Sequence, residues 1–524
     1  MPNAKILPFT TIAPGSRGLN TQLAGQLLDA TWAVEAQNCV FNSNNMLASR
    51  PGWTAQNSTP ISGTPDLEQM FEYKPASPAA NVVVSAGGNK LYVGTSTITN
   101  VTGVLAPTAN AWKFVNFNGN VYGLQAGHPL IQYTGAGNFT ATVPASGSVP
   151  TGNELLSAFG RLWAVQSDKQ TIVYTGLLDA TNWGGVGAGN INVSNVWLSG
   201  GDEIVALAAF NNFLVVFGKK NVILYTDGTG SKLGIDPVNI RVGDIVTGVG
   251  CIARDTVVNV NGDDLVFLSA SGLQSLQRLM VNKSNPLRNI SVNIRDNLTS
   301  LVAGETVSSI RSTYVPRQGY YLLLLPASKK IFCFDTKVVL DDNSWRVTEW
   351  NTFLPKSLVC LEDGATVYGG LAGYIYQNTG YNDNGSSFRY IYRSGWLDLD
   401  QTQQGSNNYL KFLKKVTGIV FVSGNAAVEY KWGFDFSSNL NTITKNISGG
   451  TAGGQYGNIS QVTGTFSPAQ YGLSQYGASV GLIEMEIPAY AAGQFIRIGI
   501  EVDLSSSSFA LQQMQMFVKL GRLY

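Results

Sequence analysis

The chain has 524 residues, too many for one hydrophobic core, so two or three domains are expected. Only 13% of them are charged and the formal net charge is +1, which excludes a global pull toward nucleic acid or an anionic membrane surface. Hydrophobic residues reach 44% and 58 glycines punctuate them, so wholesale disorder is excluded and a turn-rich, all-β chain is favoured.

Residues 1–60 read as an extended N-terminal arm. Pro8, Pro14, Gly15 and Gly18 discourage independent folding, and MPNAKILPFTT has no continuous apolar core of the kind a secretory signal needs. In DATWAVEAQNCVF, Asp29 is placed to cap a short helix whose apolar content is Trp32, Val34, Ala36 and Cys39. MLASRPGW then closes the arm with a turn at Arg50-Pro51-Gly52. Such an arm must pack on the C-terminal domain or on another subunit. Its Leu19, Asn20, Trp32, Arg50, Pro51 and Trp53 are the candidate assembly residues.

From 61 to 385 one pattern recurs seven times: an apolar strand, a tight polar turn, and a second apolar strand that often carries tyrosine. The copies are VVVSAGGNKLYVG from Val82, VYGLQAGHPLIQYT from Val121, LWAVQSDKQTIVYT from Leu162 and FLVVFGKKNVILYT from Phe213. LVFLSASGLQSL from Leu265, YYLLLLPASKKIFCF from Tyr320 and TVYGGLAGYIYQ from Thr366 complete the set. They begin roughly 40 to 55 residues apart, the period of a propeller blade. A lone hairpin cannot bury its apolar face, so the copies are expected to stack around a common axis as an irregular β-propeller. Between the fifth and sixth copies Asn285 and Pro286 open a predicted helix, with Leu287, Ile290, Ile294, Leu298 and Leu301 along one face. It reads as a plain amphipathic helix packed on the propeller side.

From 386 to 524 the strands lengthen. FRYIYRSGWLDL, VTGIVFVSG, AAVEYKWGFDF, GLIEMEIPAY, QFIRIGIEVDL and FALQQMQMFVKL suggest a β-sandwich or jelly-roll-like domain with one wet face. Among them, at about 447 to 480, a low-complexity loop carries three Gln-Tyr-Gly triplets. Its Tyr456, Tyr471 and Tyr476 suit an interface.

Few residues are patterned for chemistry. His128, the only histidine, sits in a Gly-His-Pro turn, which excludes a histidine-built zinc site or a Ser-His-Asp triad. Asp263-Asp264, Asp341-Asp342 and Asn382-Asp383-Asn384-Gly385 read as turns, and the Asp398/Asp400 pair gives no cleft geometry. Asp227-Gly228-Thr229-Gly230-Ser231-Lys232 fails the phosphate-loop spacing. Basic residues come in small pairs, Lys219-Lys220, Lys329-Lys330 and Lys414-Lys415, of which the first two occupy hairpin turns and read as solvated. Cys39, Cys251, Cys333 and Cys360 lack ligand spacing and read as buried free thiols, in keeping with synthesis in a reducing cytoplasm. No catalytic residue, cofactor site or metal site is expected. The longest apolar run, Tyr320 to Leu325, is far short of the ~20 residues a bilayer span requires.

The order of segments has a further implication. GLNTQ (Gly18 to Gln22), AVEAQN (Ala33 to Asn38) and ASRPGW (Ala48 to Trp53), followed by a propeller and a terminal FALQQMQMFVKLGR, resemble the tail nozzle proteins of short-tailed bacteriophages. These are also called tubular tail protein B or packaged-DNA stabilisation proteins. The resemblance implies a structural virion protein without enzymatic activity. It would form a homohexameric ring below portal and adaptor that encloses the exit channel for double-stranded genomic DNA, retains the packaged genome and anchors tail fibres or spikes. It would be made in the bacterial cytoplasm and reside in the virion. A nearly neutral chain suits a channel that must not grip phosphates. Two other readings remain open: a propeller that binds or processes carbohydrate, and a trimeric receptor-binding fibre. Blade-length periodicity argues against the fibre.

Overall fold

The computed structural model describes residues 6–76, 79–198, 200–227, 235–281, 289–399, 409–447 and 481–522. The chain is nearly all β and forms two compact units, one made of residues 55–330 and 354–377, the other of residues 1–54, 331–353 and 378–524. This differs from a division at 60 and 385 in two ways. The arm is not a separate body, and residues 331–353 leave the propeller for the second unit.

The first unit is a β-propeller of six sheets. The blades begin with Leu67–Tyr73, Lys113–Phe117, Glu154–Ala158, Ile204–Phe210, Val258–Val260 and Ser357–Cys360. These first strands are innermost and neighbour one another around the axis. A hairpin, Arg311–Val315 with Tyr320–Leu325, stands between the fifth and sixth blades. Six of the seven recurring hairpins thus lie inside blades. The copy at Tyr320 is divided, because the strand after its turn, Lys330–Val339, belongs to the second unit, where it pairs with Trp345–Trp350.

Local chemistry explains the reversals. Asn118-Gly119 and Asn261-Gly262 both adopt positive φ at their two positions (48° and 74°, 55° and 78°), the first as a two-residue hairpin loop and the second within the three-residue connection between Val260 and Asp264. The seams between blades are apolar. Trp163, Tyr174, Val216 and Ile223 fill one, and Phe217, Val222, Phe267 and Leu276 fill the next. Closure uses chain that precedes the first blade. Gln56 N–H donates to the Ile375 carbonyl at 2.8 Å, Ile375 N–H to Asn57 Oδ1 at 2.9 Å, and Ile61 N–H to the Gly373 carbonyl at 2.9 Å. The ring is therefore sealed by its own beginning against its last blade.

The predicted helix is shorter than its periodicity suggested. A helix spans Arg295–Ala303 after a 3-10 turn at Val292–Ile294, with Ile290, Ile294 and Leu298 buried. The proposed cap at Asn285 and Pro286 lies outside the described residues. A second short helix, Leu276–Val281, was not anticipated.

In the second unit two sheets face each other. One aligns Gly481–Gly493, Tyr409–Val422, Phe509–Arg522, Leu47–Ser49 and Cys39–Phe41, with Ile6–Ile12 also paired along Phe509–Arg522. The other runs from Lys330–Val339 through Trp345–Trp350, Glu35–Gln37, Phe388–Arg393, Ile496–Leu504 and Ala426–Phe434 to Asn441–Ile447. The Tyr390 ring meets Phe509 edge-on at 4.8 Å across the interior, and its hydroxyl donates to the Leu47 carbonyl. The C-terminal domain is thus a β-sandwich, and arm strands complete both of its sheets. The helix expected after Asp29 is absent. Trp32–Ala33, Glu35–Gln37 and Cys39–Phe41 are strands, and Asp29 Oδ1 accepts from Thr31 N–H at 2.8 Å. The same side-chain acceptor that can cap a helix closes a turn here, because sheet pairing claims the residues that follow.

Candidate functional site

The arm residues singled out for assembly are interior residues of their own unit. Leu19 and Asn20 are buried, and Leu19 pairs with Ala33 while Asn20 Oδ1 accepts from Gln22 and Leu23 N–H, each at 3.0 Å. Trp32 is buried with the Arg17 guanidinium 5.2 Å from its ring. Arg50 is 0% exposed and makes a two-pronged ion pair with Asp383, at 2.9 and 2.7 Å. Its Nε donates to Asn38 Oδ1 at 3.0 Å, and its plane lies 4.1 Å from the Phe388 ring. Pro51 keeps partial exposure, and its carbonyl accepts from Arg50 at 2.8 Å. At Gly52 a Cβ would stand 1.9 Å from the Asn382 carbonyl oxygen, so glycine is the only fit at that approach. Trp53 is fully buried and stacks on Phe353 at 5.5 Å. Apart from the half-buried Pro51, these residues are interior and build the fold of their unit. Tyr456, Tyr471 and Tyr476 lie outside the described residues.

The densest chemistry lies in residues that no sequence motif groups together. On the propeller axis, where the innermost strands begin, five charged side chains converge: Lys113, Glu154, Arg254, Asp255 and Arg311. Lys113 opens the inner strand of the second blade, Glu154 that of the third and Arg311 that of the hairpin. Arg254 and Asp255 come from the 3-10 turn before the fifth blade. Arg254 ties the ring together across the axis. It donates to the Asn153 carbonyl at 2.6 Å, to the Ala111 and Trp112 carbonyls at 3.3 Å each, and to both Asp255 oxygens at 3.0 and 2.8 Å. Arg311 Nε donates to the Glu68 carbonyl at 3.1 Å, bringing in the first blade, and Glu154 Oε1 accepts from Leu207 N–H of the fourth at 3.3 Å.

The two carboxyls of this cluster are tuned in opposite directions. Burial raises that of Asp255, but Arg254, Arg311 and Lys113 outweigh burial and hold it well below the usual carboxylate range. Glu154 is pushed up to about 7, by burial first, with Lys113 and Arg254 pulling it back and Asp255 adding to the rise. Lys113 Nζ and Arg254 Nε stand 3.7 Å from it, beyond hydrogen-bond reach, and its Oε2 has no hydrogen-bond donor. The unfolded carboxyl titrates at 4.5, so between that value and about 7 the folded chain holds a proton that the unfolded chain has released. Stability from this group is fully present below the lower value and lost by the upper one, a difference of about 3 kcal/mol. Urea midpoints measured from pH 5 to pH 8 are expected to fall with rising pH in the natural chain and to lose that slope in Glu154→Gln. An unchanged slope in the variant would assign the effect elsewhere.

The remaining candidates resolve plainly. His128 begins the strand His128–Tyr133 with its ring 5.2 Å from Trp112. Asp264 is not a free turn residue: it starts a strand and accepts from Ser275 and from Gln277 N–H. Asp341 pairs with Arg17, Asp342 accepts from Ser344, and Asp383 is the buried partner of Arg50. The Lys219 and Lys220 amides donate to Asp202 at the turn, each at 2.9 Å, whereas Lys414 and Lys415 lie within the strand Tyr409–Val422. Most of the phosphate-loop-like string, residues 228–232, and Asp400 lie outside the described residues. All four cysteines are free thiols. Burial pushes Cys251 and Cys360 up to about 12 and raises Cys39 and Cys333 as well, the opposite of what a reactive thiolate needs. No group of potential metal ligands and no helix long and apolar enough to cross a membrane occurs among the described residues.

No protein-family profile and no curated protein matches the chain. Among solved structures it is similar to a chain of the mitotic checkpoint complex, at 10% identity and a TM-score of 0.34 over 61% of this chain and 95% of that one. It is also similar to the extracellular domain of a protein designated a one-component system from B. thetaiotaomicron, at 9% identity and a TM-score of 0.29. That match covers 75% of this chain and 48% of the other. Likenesses at these scores carry no argument about this chain.

Proposed function

We propose that the chain is a structural ring subunit of a short-tailed phage virion, the tail nozzle. The observation that carries the reading is the place of its three short motifs. GLNTQ, AVEAQN and ASRPGW lie in strands and buried turns that tie the arm into the C-terminal sandwich, so the resemblance rests on residues that build the fold. The propeller axis is occupied by Arg254 and its partners, which suits a solid segment in the wall of a larger channel. Portal, adaptor, fibres and DNA would then be met by the ring as a whole. Electron microscopy of the protein assembled with its portal and adaptor, or of virions, is expected to show six-fold rings. A monomer that stays monomeric in the presence of both would overturn the proposal.

The second reading, a carbohydrate-binding propeller, has one feature in its favour. A surface cavity of about 460 Å³ beside the first blade is lined by Asn89, Lys90, Asn100, Thr102 and Asn138, amide and hydroxyl chemistry that suits sugar hydroxyls. Binding to a polysaccharide panel that is lost in Asn100→Ala would favour it over the nozzle.

A further inference from the structure

The axial cluster has a property that the proposed function does not use. Glu154 is buried at the point where the second, third, fourth and fifth blades meet. An ionised carboxylate there receives one long hydrogen bond, from Leu207 N–H at 3.3 Å, and no donor at Oε2. Its cations stand 3.7 Å away and are already committed, Arg254 to Asp255 and to three carbonyls, Lys113 also to Asp255 at 3.7 Å. A neutral acid fits this site, whereas an ion is under-satisfied and gains by reaching water. Water is close by, because the Lys113 side chain beside it is 23% exposed, and the side-chain contacts of Glu154 with Leu207, Lys113 and Arg254 all reach other blades, while only its backbone pairs within its own sheet, with Val165.

We infer that the strand-start end of the propeller axis is a proton-dependent closure, shut while Glu154 is a neutral acid and loosened to water when Glu154 ionises. The charged and titratable groups facing it are Lys113 from the second blade, Arg254 and Asp255 from the turn before the fifth, Arg311 from the hairpin, and the Cys251 thiol. None of the other acids competes in the relevant range. Asp255 is held ionised throughout by its three cations, and Cys251 is pushed up to about 12 by burial. The carboxyl raised to about 7 sets the range in which the closure responds. The inference stands apart from the nozzle reading, since it concerns the axis of one propeller whatever that propeller builds.

Hydrogen–deuterium exchange of the full chain tests it, followed by mass spectrometry from pH 5 to pH 8 and corrected for the intrinsic pH dependence of amide exchange. Peptides covering residues 111–115, 153–158 and 204–210 are expected to show opening that rises by up to about tenfold per pH unit and levels off near neutrality. The hairpin strand Tyr320–Leu325 should show no such rise. Glu154→Gln should flatten the profile, and Glu203→Gln, which alters an exposed carboxylate, should leave it intact. Should the glutamine variant fail to fold, Lys113→Met provides the second reading, because removing one of the two cations must move the midpoint to higher pH. A natural chain with a flat profile, a Glu154→Gln chain that keeps the rise, or a Lys113→Met midpoint that stays in place or moves down would each overturn the closure.

Discussion

Replacing Arg50 with alanine is expected to lower the unfolding free energy by about 3–5 kcal/mol, the usual cost of stranding one partner of a buried ion pair. The Asp383 carboxylate would keep its place at 6% exposure while losing both guanidinium bonds. The Asn38 Oδ1 and Pro51 carbonyl would each lose a donor, and Phe388 the cation over its ring. Arg50→Lys should recover little, since an ammonium cannot present the fork that meets both oxygens of Asp383. The informative comparison is Arg50→Met with Asp383→Leu. Removing both charges together should cost well under the sum of the single changes, because most of each single penalty belongs to the charge left behind. Urea denaturation of the four proteins gives the coupling directly. An additive result would mean that the pair is more hydrated than its burial indicates.

The sequence disclosed the propeller and the sandwich because their signals are local. Alternation along strands, Asn-Gly turns and a blade-length period all fall within a few tens of residues. Arg50 and Asp383 are separated by 333 positions, and nothing near either announces the other. The run around Asp383 therefore read as a turn, which it is, while its burial stayed hidden. The arm likewise read as packing either on the C-terminal domain or on another subunit, with no local signal to choose between them. Leu19, Trp32 and Trp53 look like apolar residues in search of a partner, and each is buried within its own unit, against Ala33, Arg17 and Phe353 respectively. The hairpin at Tyr320 read as an ordinary blade because both its strands are apolar, and nothing in that pattern marks that the strand after its turn belongs to the second unit. The axial cluster did leave a trace. Lys113 lies eight residues before Val121, Glu154 eight before Leu162 and Arg311 nine before Tyr320, so a charge leads an apolar strand at nearly one register in three repeats. In a propeller that register falls at one end of the axis, where charges from different blades must meet.

Arg254→Met is the second change expected to cost about 3–5 kcal/mol, and its consequences are more specific than a loss of stability. Methionine fills much of the side-chain volume without supplying a donor. Asp255 would keep Lys113 at 3.7 Å and Arg311 at 3.3 Å but lose its two close bonds, and three carbonyls from two blades would go unmet. Glu154 would retain a single cation, Lys113, so its carboxyl should rise further and its stability window should extend to higher pH. Adding Glu154→Gln to Arg254→Met removes one of the two carboxylates that the lost arginine had balanced. The double variant should therefore be more stable above neutrality than the sum of the single effects predicts. Urea midpoints of the natural chain, the two single variants and the double variant at pH 5 and pH 8 test this. The coupling should be favourable at pH 8 and small at pH 5, where Glu154 is already neutral in the folded state. Equal coupling at the two values would mean that Arg254 acts through its carbonyl bonds alone, and the five side chains on the axis would then be separate contacts that share a location.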